Sequence, residues 1–239
     1  MPQPPKRAPR SGRDNRALLL PYLVPYFAYV GVATLARGRL SHEWDYALRI
    51  VLTGAAIAWA WRSWLPLRGP RGAPGSLAVG VVFGLVGLGL WIALMRPFVP
   101  ETGGQAWTPL AWSLRMLAAT LLVPLFEEQL MRGYVLRFAL QWDRARATGE
   151  TDPFGVALDL RSVRDVRPGD WSVTAVALST LIFTLGHAQS EWGAAVAYGL
   201  EMAGLYVWRR DLLTPVTAHT VTNLGLAIYV LATGQWAFW

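Results

Sequence analysis

Long apolar segments separated by basic clusters dominate this chain and restrict what it can fold into. Of its 239 residues, 54% are hydrophobic and 15% are charged, whereas soluble domains carry roughly 25% charged residues. Because lipid offers the backbone no hydrogen-bond partners, each segment of about 20 apolar residues must be a helix. The sequence therefore predicts an all-α, polytopic membrane helix bundle of about seven to eight transmembrane helices. The predicted spans are 17–36, 46–67, 77–95, 111–140, 171–189, 193–208 and 212–232.

The basic residues indicate how the bundle is oriented. Residues 1–16 are rich in proline and arginine, and we expect a disordered basic cytoplasmic tail there, followed by a single transmembrane domain over 17–239. The linker 62–71 and the hydrophilic segment 141–170 fall on the same side as this tail. Positively charged loops mark the cytoplasmic side of a membrane protein. The N-terminus and a cytoplasmic loop at 141–170 are therefore expected inside.

Composition also excludes several classes of function. The chain has no cysteine, which rules out disulfides, thiolate nucleophiles and cysteine-ligated metal sites. Its net charge is +7, but the basic residues cluster between apolar segments rather than along one face. We therefore expect the lipid bilayer as a partner, and no nucleic acid.

A pair of glutamates, Glu127 and Glu128, lies inside the predicted span 111–140. Carboxylates at membrane depth are costly and are read by default as functional. Residues four apart share a helix face, so Glu128 faces Arg132, while Glu127 is rotated about 100° away. The spacing predicts a buried Glu128–Arg132 ion pair that supports the site and leaves the Glu127 carboxylate free to take a proton. The competing interpretation is that all three residues form a packing network.

Two histidines lie in later apolar segments. Phe183 and His187 are four apart, so the aromatic ring is expected to lie against one side of the imidazole. His219 and Asn223 are also four apart and present two polar groups from one helix face, which suits hydrogen bonding to a developing oxyanion. A glutamate pair and two histidines on three apolar helices indicate a catalytic site in the membrane.

Metal binding is the competing chemistry for these residues. Glu127, His187 and His219 would make a two-histidine, one-carboxylate zinc set. However, the chain lacks a His-Glu-x-x-His helix, and Asn223 would be an unusual ligand. We therefore favour a site without a cofactor and keep zinc as the alternative.

Two further expectations concern how the helices fit together. At about 1.5 Å per residue, straight spans would leave His187 roughly 10 Å nearer the outer face than His219, with Glu127 nearer the inner face. To form one site, the helices must tilt or break, or their boundaries must shift by a turn or two. A further acid, Glu201, is expected to pair with an arginine such as Arg49; the alternative is that it contacts substrate.

Three motifs occur in a fixed order: Glu-Glu-x-x-x-Arg, then Phe-x-x-x-His, then His-x-x-x-Asn. In this order on successive membrane helices they resemble the CAAX-protease and bacteriocin-processing family of intramembrane proteases (CPBP, or Abi). The resemblance covers roughly 111–239 and implies a catalytic core there, with glutamate-type peptidase chemistry favoured over a metalloprotease. The roles it implies are water activation by Glu127 and His187, oxyanion stabilisation by His219 and Asn223, and support by Glu128, Arg132 and Phe183.

The C-terminal run over 218–223 and 229–236 resembles CAAX-protease-related proteins associated with bacterial exosortase and PEP-CTERM sorting systems. This resemblance implies a bacterial inner-membrane protein that works beside exosortase-type sorting machinery. The expected function is an intramembrane endopeptidase that cuts a membrane-associated or lipid-modified C-terminal segment. One alternative is a non-enzymatic membrane scaffold or immunity-type protein. Another is a proton-coupled transporter using Glu127 and Glu201, which the short chain without an inverted repeat disfavours.

Overall fold

The computed structural model describes residues 12–100 and 104–239, and every regular element in these ranges is a helix. The predicted all-α membrane bundle is confirmed. The α-helices are α1 (Asn15–Ala36), α2 (His42–Ala60), α3 (Ala73–Met95), α4 (Pro109–Leu117), α5 (Val123–Glu128), α6 (Leu136–Ala147), α7 (Pro153–Asp159), α8 (Val173–Leu185), α9 (Trp192–Arg209) and α10 (Leu213–Thr233). Short 3₁₀ turns lie at Trp61–Ser63, Arg96–Phe98, Val163–Asp165, Gln189–Glu191 and Trp236–Phe238.

Four helical segments of the described residues are long and apolar enough to cross a membrane. They are Asn15–Ala36, Ala73–Phe98, Pro109–Ala147 and Leu213–Thr233. The other three predicted spans also contain helices, namely α2, α8 and α9. α2 packs against α1, α8 packs against α9, and α9 packs against α3 and α10. Longer neighbours therefore hold the shorter or more polar helices in the bundle.

The segment Pro109–Ala147 is a continuous helical segment of 39 residues that contains two π-helical stretches. At about 1.5 Å per residue it would extend roughly 58 Å, nearly twice the thickness of a hydrocarbon core. The π-helical stretches are Ala118–Leu122 and Gln129–Val135. Pro124 lies in the first turn of α5, and a proline lacks the N–H of a regular helix bond. Such stretches are rare and often mark functional sites, and here they flank the glutamate pair.

Helix α8 is shorter than the predicted span 171–189. Ser172 caps its start by accepting a hydrogen bond from the Ala175 N–H, and Gly186 closes its last turn after Leu185. The helix has 13 residues, which extend only about 20 Å, against about 30 Å of hydrocarbon core. A helix of this length that starts at one membrane surface ends within the bilayer. The chain then turns and returns as α9.

Helix α3 packs closely on α10 through small residues. Gly84 and Gly87 are buried, and a methyl group added at Gly84 would lie 2.6 Å from the carbonyl oxygen of Ala218. The Thr222 hydroxyl donates a hydrogen bond to the Gly84 carbonyl at 2.8 Å. Small residues let helix backbones approach closely in a membrane. This contact fixes the part of α10 that carries His219.

The boundaries of the predicted polar segments differ from the observed ones. α1 begins at Asn15, so the end of the predicted tail 1–16 is helical, and residues 1–11 of that tail lie outside the described residues. α6 continues to Ala147, so the predicted loop 141–170 starts as a helix, and it also contains α7.

One end of the bundle, which we call the arginine-rich end, holds many of the arginines of the chain. Several cross-contacts bring its segments together: Arg164 donates to the Ser63 carbonyl at 2.7 Å, and Arg209 donates to the Arg71 carbonyl at 3.2 Å. The side chain of the fully buried Asn15 donates to Gln141 at 2.7 Å. The arginines of this end are Arg16, Arg62, Arg68, Arg71, Arg137, Arg144, Arg146, Arg161, Arg164, Arg167, Arg209 and Arg210.

Candidate active site

The ion pair expected from the sequence lies at the centre of the bundle. Arg132 Nη1 is 3.2 Å from Glu128 Oε2, and both side chains are fully buried. Arg132 Nη2 also donates to the Gly199 carbonyl on α9 at 2.7 Å, and the guanidinium lies 5.3 Å from the ring centroid of Phe183 on α8. Buried charges are tolerated when they are paired and hydrogen-bonded. This pair therefore ties the long helical segment to α8 and α9.

Glu128 has a second partner, the imidazole of His219 on α10. His219 Nδ1 lies 3.1 Å from Glu128 Oε1. Since an ionised carboxylate only accepts hydrogen bonds, this contact puts a proton on Nδ1. The other ring nitrogen, Nε2, is 4.0 Å from Glu127 Oε2 and carries a proton only in the imidazolium form. An oxyanion role for His219 therefore requires the charged ring, which Glu128 is placed to stabilise.

Glu127 differs from its neighbour in all of these contacts. Its side chain is 14% exposed and forms the wall of a cavity. No hydrogen bond joins its carboxylate to another residue of the described ranges 12–100 and 104–239. A carboxylate with unfilled hydrogen-bonding capacity beside a cavity is free to bind and deprotonate a water molecule.

His187 lies two residues beyond the end of α8, although the sequence placed it on a helix. Its Nδ1 is 2.9 Å from the carbonyl oxygen of Phe183, and because a carbonyl only accepts, the proton is on Nδ1. When the ring is neutral, Nε2 therefore presents a lone pair. The rings of Phe183 and Trp91 lie 4.6 and 5.6 Å from the imidazole. The turn at Gly186 and these two rings hold His187 in one orientation.

Two polar residues of α10 contact the first π-helical stretch. Asn223 Nδ2 donates to the Ala119 carbonyl at 2.7 Å, and the Thr220 hydroxyl donates to the Thr120 carbonyl at 3.0 Å. These carbonyls are available to side chains because a π-helical stretch interrupts the regular i→i−4 pattern. An amide nitrogen carries two hydrogens, so Asn223 keeps one for another acceptor.

The four predicted catalytic residues, Glu127, His187, His219 and Asn223, line one cavity of about 180 Å³. Typical small-molecule pockets have roughly 300–1,000 Å³, so this cavity is small. Phe183 lies in its wall as well, whereas Glu128 and Arg132 lie behind it. The structure thus brings the three motifs to one place.

Sequence reasoning did not single out the other residues that line the cavity. Among them, Arg115 carried a signal, since a charged residue in the predicted span 111–140 is the same feature that singled out Glu127. The aromatic side chains gave no such signal because the chain is rich in them. The missed lining residues are Tyr29, Trp91, Arg115, Ala119, Val123, Glu191, Tyr198, Thr222, Leu226, Phe238 and Trp239.

The short helix α8 removes the depth mismatch that straight spans would produce. It ends at Leu185, about one turn before the predicted boundary, so His187 lies within the bundle instead of at its surface. The cavity is also lined by residues near the end of α3, the end of α4 and the segment after α10. The cavity therefore lies towards the end of the bundle opposite the arginine-rich end, and we call that end of the cavity the mouth.

Part of the chain is similar to a known protein family. Residues 109–225, just under half of the chain, match the family model described as type II CAAX prenyl endopeptidase Rce1-like. This match supports the CAAX-protease family. No curated protein and no solved structure matches the chain significantly.

The matched segment, residues 109–225, begins where α4 begins and ends just after Asn223. It contains all three motifs that suggested the resemblance, including the Glu127–Glu128 pair. Since the matched family is one of CAAX prenyl endopeptidases, the match supports a CAAX-protease-like enzyme with a membrane-associated substrate.

Glu201 is not among the residues that line the cavity, and the pair expected between Glu201 and Arg49 is wrong. Arg49 pairs with Asp45 on its own helix, with 2.8 Å between Nε and Oδ1. Asp45 is the better partner because residues four apart share a helix face. Both carboxylate oxygens of Glu201 are buried without a hydrogen-bond partner among the described residues, next to the site where a side chain at Gly87 would lie.

The alternative zinc set is not gathered as three ligands. Within residues 12–100 and 104–239, no group of three or more His, Cys, Asp or Glu side chains is close enough to hold a metal ion. His219 directs Nδ1 towards Glu128, and His187 directs Nδ1 towards the Phe183 carbonyl. These two contacts occupy Nδ1 of each ring and leave Nε2 without a hydrogen-bond partner among the described residues.

Proposed function

We propose that this protein is a glutamate-type intramembrane endopeptidase that hydrolyses a peptide bond near the C-terminus of a membrane-associated or lipid-modified protein. The observation that carries the proposal is the convergence of Glu127, His187, His219 and Asn223 on one cavity. These residues come from three separate parts of the chain. The Rce1-like family match supports the reaction class.

The first chemical step is attack by water on the substrate carbonyl. Glu127 and the lone pair of His187 Nε2 accept the two hydrogens of one water molecule and hold it in the cavity. As the water oxygen bonds to the carbonyl carbon, one proton moves to Glu127. The free carboxylate of Glu127 and the proton on His187 Nδ1 both favour this arrangement.

The second step is breakdown of the tetrahedral intermediate. Its oxyanion accepts hydrogen bonds from the remaining amide hydrogen of Asn223 and from Nε2–H of protonated His219. The carbon–nitrogen bond then breaks, and Glu127 returns its proton to the leaving amine. Glu128 supports this step because its carboxylate holds His219 Nδ1 at 3.1 Å.

We further propose that the protein lies in a bacterial inner membrane with its N-terminus in the cytoplasm. The arginine-rich end supports this orientation, because positive loops favour the cytoplasmic side. The mouth of the cavity then faces the opposite side. A role beside exosortase-type sorting machinery rests on the resemblance of the C-terminal run.

The test follows cleavage of tagged C-terminal tails by the purified protein in proteoliposomes. A null strain supplies candidate substrates, as proteins whose tails persist. Replacing the base, Glu127→Gln, should lower kcat by about 10²–10⁴-fold, while Glu150→Gln, an exposed carboxylate at the arginine-rich end, should leave it unchanged. Full activity of Glu127→Gln would overturn the assignment.

Metal dependence is tested in the same assay. We propose a metal-free reaction, so activity should persist in a chelator, and metal analysis of the purified protein should find less than one zinc per chain. Activity that disappears with chelation and returns with zinc would establish the metallo alternative.

A further inference from the structure

Arg115 is a charged residue of the cavity that belongs to none of the three motifs. It lies in the last turn of α4, within a segment apolar enough to cross a membrane, and it is half-buried. Its side chain lines the same cavity as Glu127 and His187. Charged side chains in such segments are rare and normally have a function.

Aromatic rings surround the guanidinium of Arg115. Its Cζ atom lies 4.6 Å from the ring centroid of Trp239, 5.1 Å from that of Trp107 and 5.8 Å from that of Tyr46. Contacts of this kind stabilise a cation through the face of the ring. They position the group but use none of its five N–H donors.

The charge of Arg115 has no carboxylate partner in residues 12–100 and 104–239. Arg49 provides the contrast, since it lies 4.5 Å from the same Tyr46 ring and is neutralised by Asp45. Two arginines thus pack against the Tyr46 ring, and only Arg49 has a carboxylate partner among the described residues. Packing against the ring therefore does not explain why Arg115 has none. The Arg115 guanidinium can therefore still bind one anion at the cavity.

A carboxylate is the anion that this geometry favours. A guanidinium binds a carboxylate through two parallel hydrogen bonds, and a substrate cut near its C-terminus brings one carboxylate with it. Arg115 and Glu127 are twelve residues apart on one helical segment, which is at most about 18 Å. An extended peptide covers this distance with about five residues or fewer.

We propose that Arg115 binds the free C-terminal carboxylate of the substrate, so that the enzyme cuts only a few residues from a chain end. This inference rests on the proposed function for the position of the scissile bond. The carboxylate site itself is a binding property and can be measured without cleavage.

The experiment measures binding to the full-length Glu127→Gln protein, which holds substrate without cutting it. The probe is a short fluorescent peptide with an apolar C-terminal half, prepared as the free acid and as the C-terminal amide. The acid should bind about 10- to 100-fold more tightly than the amide, as expected for a hydrogen-bonded charged pair. Adding Arg115→Gln should remove this difference by weakening only the acid.

Two further variants serve as controls. Arg37→Gln removes an exposed arginine at the mouth end of α1 and should keep the full preference for the acid. Arg115→Lys keeps the charge but not the paired donors, so it should keep part of the preference, and it replaces Arg115→Gln if that protein does not fold.

Equal binding of acid and amide, or a preference that survives Arg115→Gln, would overturn the proposal. Displacement of a bound anionic lipid, phosphatidylglycerol, without any preference between the peptides would assign Arg115 to a lipid headgroup instead. If the acid binds selectively but the native enzyme cuts neither peptide, the proposed function fails and the carboxylate site stands. If the native enzyme cuts both peptides equally well, the proposed function stands and the carboxylate site fails.

Discussion

Two groups of polar side chains inside the bundle differ in how completely they are hydrogen-bonded. At the arginine-rich end, Arg137 donates to the Tyr206 hydroxyl at 2.9 Å and to the carbonyls of Val163 and Val166 at 3.0 and 3.1 Å. At the cavity, Glu127 has no hydrogen bond among the described residues, and Arg115 has no ion pair there. Buried polar groups are normally satisfied, so the first group holds the fold together and the second is available to a substrate.

The two members of the Glu127–Glu128 pair show the same difference. Glu128 is fully buried between Arg132 and His219, while Glu127 is 14% exposed at the cavity wall. Adjacent residues of one type therefore have different tasks, because a rotation of about 100° around the helix gives them different neighbours.

The largest expected effect separates these two glutamates by stability. Glu128→Ala leaves Arg132 buried without its carboxylate and should lower the free energy of unfolding by about 3–5 kcal/mol. Glu127→Ala, the matched control, should change it by no more than about 0.5 kcal/mol. Unfolding in detergent followed by circular dichroism measures both. If Glu127→Ala is as destabilising as Glu128→Ala, the result would favour the scaffold interpretation and contradict the distinction between the two glutamates.

The next prediction concerns Arg137, whose hydrogen bonds are complete. Arg137→Met removes the donor of three hydrogen bonds and should lower the free energy of unfolding by about 2–3 kcal/mol. The kcat of the folded protein should not change, since Arg137 is far from the cavity lining. Arg144→Met, at an exposed arginine of α6, controls for loss of charge. A fall in kcat at unchanged stability would show that the two groups are not separate.

A smaller effect concerns the contact that positions His219. A methyl group at Gly84 would crowd the Ala218 carbonyl at 2.6 Å, so Gly84→Ala should cost about 1–3 kcal/mol. Gly89 on the same helix has nothing within 4 Å of an added methyl group. Gly89→Ala should therefore be neutral or slightly stabilising, because alanine favours helix over glycine. Equal melting temperatures of the two variants would contradict the close α3–α10 contact.

The smallest effect is expected at the exposed surface of the arginine-rich end. Arg16 donates a hydrogen bond to Asp159 at 3.0 Å and holds the pKa of that carboxyl below its usual range. A lowered acid pKa contributes stability above the unfolded pKa and loses it as the pH falls. Water and salt screen this pair, so Asp159→Asn should leave the melting temperature unchanged at neutral pH. A shift of several degrees would show that exposed pairs matter here as much as buried ones.

Local spacing predicted the contacts that lie within one helix. Glu128 and Arg132, and Phe183 and His187, meet because residues four apart share a face. The same rule would also have paired Arg49 with Asp45. The expected pair between Glu201 and Arg49 was wrong because this closer partner of Arg49 was overlooked. The π-helical stretches on either side of the glutamate pair have no such signature, because they depend on carbonyl partners such as Asn223 on a distant helix.

The sequence by itself determined that the described chain forms apolar helices, because lipid leaves the backbone no other way to satisfy its hydrogen bonds. It also determined which residues of the three motifs share a helix face. Only the tertiary structure decided that α8 stops at Leu185 and brings His187 to the cavity that Glu127 lines. It also decided that Glu128 holds His219 and that Arg115 joins the cavity, because these contacts join residues far apart in the chain, and their geometry depends on how whole helices pack.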